Sequence, residues 1–217
     1  MLTSAAVFAK LEEHKLLAVI RAPSAAAALG AAQAVIEGGL PIVEITYSVP
    51  GAPSVMAELS GREDLIVGAG TVLTVTQAED AIAAGASFIV APNLSLEVAR
   101  VALEAGVLYC PGAYTTSEII AARDAGAHLI KVYPVGIAGG PDYIKVIRDP
   151  LPDIPMLAAG GTNLDNVPRF LAVGCVACGL GAALADPALA GAGEFDEITR
   201  RASAFVARVR AAALAAG

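Results

Sequence analysis

The feature that most limits what this chain can fold into is a weak internal repeat. Alanine-rich helical stretches close on glycine, and a short apolar strand follows each time: "EGGLPIVEIT", "AAGASFIVAP", "EAGVLYCPG", "DAGAHLIKVYP", "AVGCVACGLG". Gly85, Gly106 and Gly126 lie about 20 residues apart, and Gly39 to Gly85 and Gly126 to Gly174 each span two such units. A glycine just past a helix adopts the left-handed conformation without a Cβ penalty, so it reads as a C-cap. Strands alternating with helices of this length imply βαβ units and a parallel sheet. The candidate strands are Leu16–Ile20, Ile42–Thr46, Leu65–Gly68, Phe88–Ala91, Leu108–Cys110, Leu129–Tyr133, Met156–Ala159 and Val176–Gly179. Between them lie segments such as "SAAAALGAAQAVIE", many opened by Ser, Thr or Asn caps. Eight units in 217 residues is the economy of a small α/β protein, a (β/α)8 TIM barrel with an additional N-terminal helix. A doubly wound open sheet is the competing topology, but it would seldom need eight nearly equal repeats. No linker or low-complexity tract divides the chain, so residues 1–217 read as one barrel domain.

Composition narrows the function. The chain is 56% hydrophobic, yet Gly, Pro or a charge interrupts every long apolar run, so no membrane span is expected. The opening "MLTSAAVFAKLEEHK" lacks a signal peptide's pattern and reads as an amphipathic helix, which points to a soluble, cytoplasmic protein. A net charge of −7 without a basic cluster argues against nucleic acid. Cys110, Cys175 and Cys178 form no disulfide framework. The C-x-x-C pair sits in "AVGCVACGLG", a short apolar strand whose two thiols should face opposite ways as buried small hydrophobes. With only two histidines, no zinc or other metal site is expected.

Active sites of such barrels lie at the C-terminal ends of the strands. Read in order, those ends carry Arg21; Glu44, Thr46 and Ser48; Thr71 after a Gly-Ala-Gly turn; Pro92 and Asn93; "YCPGAYT"; Lys131, Tyr133 and Pro134; "AAGGTN"; and "CGLGAA". Fully buried parallel strands should be continuous apolar runs, and Glu44 and Lys131 break that rule in strands four apart. Strand alternation puts Lys131 with Leu129 and Tyr133, and Glu44 with Ile42 and Thr46, leaving Ile130, Val132, Val43 and Ile45 to face the helices. Both ionisable chains are therefore expected in the lumen, across the barrel from one another. A lysine turned outward, or a structural Lys131–Glu44 ion pair, is the alternative.

Such a pair offers amine catalysis. A desolvated lysine retains some free amine, which condenses with a keto group to a Schiff base that acts as an electron sink. A nearby carboxylate then moves the protons, and no cofactor is required. Gly160-Gly161 and Gly179-Leu180-Gly181 expose backbone N–H groups at strand ends 7 and 8, the recurrent phosphate site of these barrels. A small-molecule, phosphorylated substrate is the expected partner.

On these residues the sequence resembles the class I 2-keto-3-deoxy-6-phosphogluconate (KDPG) and 4-hydroxy-2-oxoglutarate (KHG) aldolase family. The marks are "HKLLAVIRA", "VEITYSVPGA", "VGAGTVLT", "FIVAPN", "CPGAYTTSE", "LIKVYP", "GPDYIKVI" and "AAGGTNLDN", in order along nearly the whole chain. The resemblance implies a Schiff-base role for Lys131 and an acid/base role for Glu44. It also implies a pyruvyl pocket lined by Thr71, Pro92 and Tyr133, an anion contact at Arg21, and backbone phosphate donors at Gly160, Gly161 and Gly181. It implies reversible cleavage to pyruvate and glyceraldehyde 3-phosphate by a homotrimer of barrels. Three positions depart from the family pattern. Ser48 stands where some members carry arginine, Ala182 where many have a serine, and Ala159 where threonine or proline is more usual. An aldolase for 4-hydroxy-2-oxoglutarate or for the phosphogalactonate epimer is the alternative within the family. A barrel sugar-phosphate isomerase or epimerase, and a non-catalytic barrel, are the competing functions outside it.

Overall fold

The computed structural model describes residues 2–62 and 64–216. Nine parallel strands alternate with helices: β1 (Leu16–Ile20), β2 (Ile42–Thr46), β3 (Ile66–Gly70), β4 (Phe88–Val90), β5 (Leu108–Cys110), β6 (Gly112–Ala113), β7 (Ile130–Val132), β8 (Met156–Ala159) and β9 (Ala177–Leu180). Their spatial order is β5-β4-β3-β2-β1-β9-β8-β7-β6. β5 pairs with β4 and β6 pairs with β7, so these two pieces are halves of one strand broken at Pro111. Proline has no N–H for a ladder, but its carbonyl still accepts from Lys131 N at 2.9 Å. Eight strand positions thus close a (β/α)8 barrel, as the repeat predicts.

The glycine C-caps behave as expected. Gly39, Gly85, Gly106, Gly126 and Gly174 all have positive φ, between 70° and 92°. The N-caps are side-chain oxygens: Ser24, Thr74, Ser95 and Thr115 each accept from a backbone N–H three residues on. At Thr115 the Glu118 carboxylate reaches back to complete a capping box.

Strand alternation divides the apolar residues into two cores. Ile20, Val43, Ile45, Ile130 and Val132 join the layer between strands and helices. Leu17, Ile42, Phe88, Leu108, Leu129 and Leu157 fill the barrel interior. Helix α1 (Ser4–His14) adds Val7 and Leu11 to the interior set and so closes the barrel at the N-terminal ends of the strands.

Two expectations are corrected. Gly-Ala-Gly is not a turn: β3 runs through it to Gly70. The glycines face inward and leave room that other side chains fill; a Cβ on Gly68 would fall 2.2 Å from the Phe88 ring. Cys175 and Cys178 do not face opposite ways. Cys175 precedes β9, where strand alternation does not apply, and both thiols join the outer core. Burial pushes Cys175 up to about 12.

Candidate active site

Lys131 and Glu44 lie on β7 and β2, which are separated by three strands through β1, β9 and β8. Both are buried inside the barrel, Lys131 at 5% exposure and Glu44 at 1%. The outward lysine is thereby excluded, and no salt bridge joins the two within 4.0 Å among the described residues. Lys131 Nζ instead lies 5.1 Å from the centroid of the Tyr133 ring, whose π-face attracts a cation. Neither Glu44 oxygen has a hydrogen-bond partner among the described residues. Burial raises the Glu44 carboxyl above its ordinary range, while the charges of Lys131 and Arg21 pull it back down. Cys110 lies close to both charges, and burial pushes its thiol up to about 12, so it stays a neutral thiol.

Lys131 borders a cavity of about 540 Å³, whereas Glu44 is not among the residues that line it. Arg21, Lys131 and Tyr133 line one part of it, and Gly160, Gly161, Gly179 and Gly181 another. The glycine loops are locked in place. The Gly136 N–H donates to Gly160 O at 2.7 Å, and a Cβ on Gly161 (φ +105°) would lie 2.7 Å from Gly136 Cα. Asn166 Nδ2 donates to Gly161 O at 2.8 Å, and its Oδ1 accepts from Asn163 N. At Gly181 nothing stands within 4 Å of a would-be Cβ, so its backbone is open to the cavity. Leu184 and Ala185 N–H groups both turn back onto Gly181 O.

The remaining predicted residues do not line this cavity. Thr46 is fully buried; its hydroxyl donates to Ile20 O at 2.9 Å and meets the Ser48 hydroxyl at 2.6 Å, tying the ends of β1 and β2 together. Thr71, the first residue past β3, is held at φ +57°, an unfavourable conformation for a β-branched residue. Pro92 follows β4 and presses its carbonyl against Gly112. Sequence reasoning missed Thr162 and Asn163, which line the cavity. Thr162 is buried and donates to Gly179 O at 2.6 Å, bridging the two glycine loops. Their position directly after the double glycine is the signal that could have found them. Among the described residues, no group of three or more His, Cys, Asp or Glu is arranged to hold a metal ion, and no helix is long and apolar enough to cross a membrane.

A (β/α)8 barrel with a cavity at the C-terminal ends of its strands is the plan of a barrel enzyme, and comparison with known proteins makes it an aldolase, a carbon–carbon lyase. The chain belongs to the KDPG and KHG aldolase family, whose model matches residues 7–201. A 2-dehydro-3-deoxy-6-phosphogalactonate aldolase of Escherichia coli strain K12 is 37% identical over 201 residues, covering 91% of this chain and 95% of the relative. A 2-dehydro-3-deoxy-phosphogluconate aldolase of Pseudomonas aeruginosa is 35% identical, with 87% and 86% covered. The crystal structure of the KDPG aldolase from Legionella pneumophila, with pyruvate captured at low pH as a covalent carbinolamine intermediate, superposes with a TM-score of 0.83. It is 27% identical and covers 91% of this chain and 96% of that one.

Proposed function

We propose that this aldolase cleaves 2-keto-3-deoxy-6-phosphogluconate, or its galactonate epimer, to pyruvate and glyceraldehyde 3-phosphate through a Schiff base on Lys131. One observation carries the reading: a buried amine borders the cavity, across the barrel from an unpartnered carboxyl group. The Lys131 amine adds to the C2 carbonyl, and loss of water gives an iminium. The C3–C4 bond then breaks, its electrons flow to the iminium nitrogen, and the C4 hydroxyl gives up its proton. Protonation of the enamine at C3 and hydrolysis release pyruvate and return the amine. Glu44 is the proton carrier; burial raises its carboxyl above the ordinary range, so it holds a proton more readily than a surface carboxyl and can both donate and accept one. Tyr133 covers the lysine, and Arg21 offers a cation to the substrate carboxylate. The backbone N–H groups around Gly160, Gly161, Gly179 and Gly181 receive the phosphate. Ala182 adds no hydroxyl to them, which removes about 1 kcal/mol relative to a serine.

The test is incubation with pyruvate, borohydride reduction and peptide mass spectrometry. A single adduct on Lys131, absent in Lys131→Met, is expected; an adduct elsewhere ends the mechanism. Phosphorylated 2-keto-3-deoxy acids should be cleaved faster than unphosphorylated ones, and equal rates would remove the phosphate cradle. The homotrimer implied by the resemblance is checked by sedimentation.

A further inference from the structure

Two inward glycines on one strand remain to be explained. Gly68 makes room for Phe88, a packing role. Gly70 is different: a Cβ there would fall 1.8 Å from Glu44 Oε1, 2.4 Å from Cδ and 2.5 Å from Cγ. We propose that Gly70 is a positioning residue, the absent side chain into whose space the Glu44 carboxylate fits. The proposal rests on the reading of Lys131 and Glu44 given above and adds a residue to it.

The backbone does not demand glycine at this position. Gly70 is the last residue of β3, pairs with Thr46, and is not among the positive-φ residues. Glycine in a paired strand position gives up side-chain packing and marks a close approach by another group. The group that approaches is the carboxylate. Glu44 starts one layer lower, level with Val19 and Gly68, and reaches forward over Gly70 toward the mouth of the barrel. No hydrogen bond fixes either of its oxygens, so the shape of the surface beneath it is what holds it. An alanine at position 70 has an allowed conformation but occupies the volume of Oε1. The carboxylate must then swing away from its place across from Lys131.

The test is a cycle of four proteins: the parent, Gly70→Ala, Glu44→Ala and the double variant. The readouts are exchange of pyruvate methyl protons into D2O by NMR, borohydride labelling of Lys131, and the thermal midpoint. Gly70→Ala is expected to slow exchange on the order of 100-fold, while prolonged incubation still labels Lys131. Its midpoint should fall. In the Glu44→Ala background the same alanine enters emptied space, and exchange and midpoint should stay level or rise. If exchange in that background is too slow to follow, or Gly70→Ala alone does not fold, the midpoint of the double variant decides: a folded double variant supports the proposal and an unfolded one overturns it. Parent-like exchange in Gly70→Ala, or an equal loss in both backgrounds, also overturns it. If Glu44→Ala exchanges at the parent rate, or Lys131 takes no label, the underlying reading has failed and the role of Gly70 goes with it. If Glu44→Ala is slow and Gly70→Ala is not, that reading stands and only the role of Gly70 falls.

Discussion

A carboxyl group buried without a hydrogen-bond partner favours its neutral form, and at Glu44 this outweighs the pull of Lys131 and Arg21. The consequence for stability has a definite sign. Below the ordinary carboxylate range both folded and unfolded chains hold the proton, and the fold keeps its full stability. As pH rises, the unfolded chain ionises first, so stability is lost until the folded group releases its own proton. Each pKa unit of elevation corresponds to about 1.4 kcal/mol. Glu44→Gln is therefore expected to raise the thermal midpoint relative to the parent near pH 7, with the gain vanishing toward pH 4. A midpoint difference independent of pH would contradict this. The same variant should slow turnover by about 100- to 10,000-fold. The inward direction of both side chains was legible in the sequence, because their apolar neighbours fixed which strand face met the helices. The Thr46 tie to Ile20 was not, because it joins β1 to β2 across 26 residues of chain.

Among the elements, the glycine-closed helices carry the repeat, and two of these glycines form a controlled comparison. Gly106, after α5 (Leu96–Glu104), has φ +70° and nothing within 4 Å of a would-be Cβ. Gly61, after α3 (Ala52–Ser60), is equally open but has φ −73°. Gly106→Ala should lower stability by about 1–2 kcal/mol through the left-handed backbone alone. Gly61→Ala should be neutral or stabilise by up to about 1 kcal/mol, because it narrows the unfolded ensemble. Denaturant unfolding of the two variants checks the pair, and equal effects would refute the argument. Element boundaries were less legible than element order. Gly-Ala-Gly has the composition of a turn, and only its neighbours Phe88 and Glu44 show why the strand continues through it. The break at Pro111 likewise depends on pairing with two different strands.

At the scale of the whole molecule, the barrel has a closed end and an open end. Helix α1 closes one with Val7 and Leu11, and the candidate site occupies the other. Leu11→Ala removes a fully buried side chain from the closed end and should lower stability by about 2–5 kcal/mol. Pyruvate labelling of Lys131 in the folded variant should be unchanged; a loss of labelling would mean that the two ends are not independent. A second hollow of about 460 Å³, bordered by Leu65, Gly85 and Ser87, does not compete with the candidate site, because Arg62, the one cation among the described residues that line it, is already paired with Asp64. By itself the sequence determined the alternation of strand and helix, the glycine caps, and the face of the barrel to which Lys131 and Glu44 belong. Those are local periodicities, and a linear pattern records them. Only the tertiary structure decided that Arg21, Tyr133 and the glycine loops share one cavity, that Thr162 bridges two of those loops, and that Gly70 lies beneath the Glu44 carboxylate. Such contacts join residues far apart in the chain and depend on how the closed sheet staggers its strands.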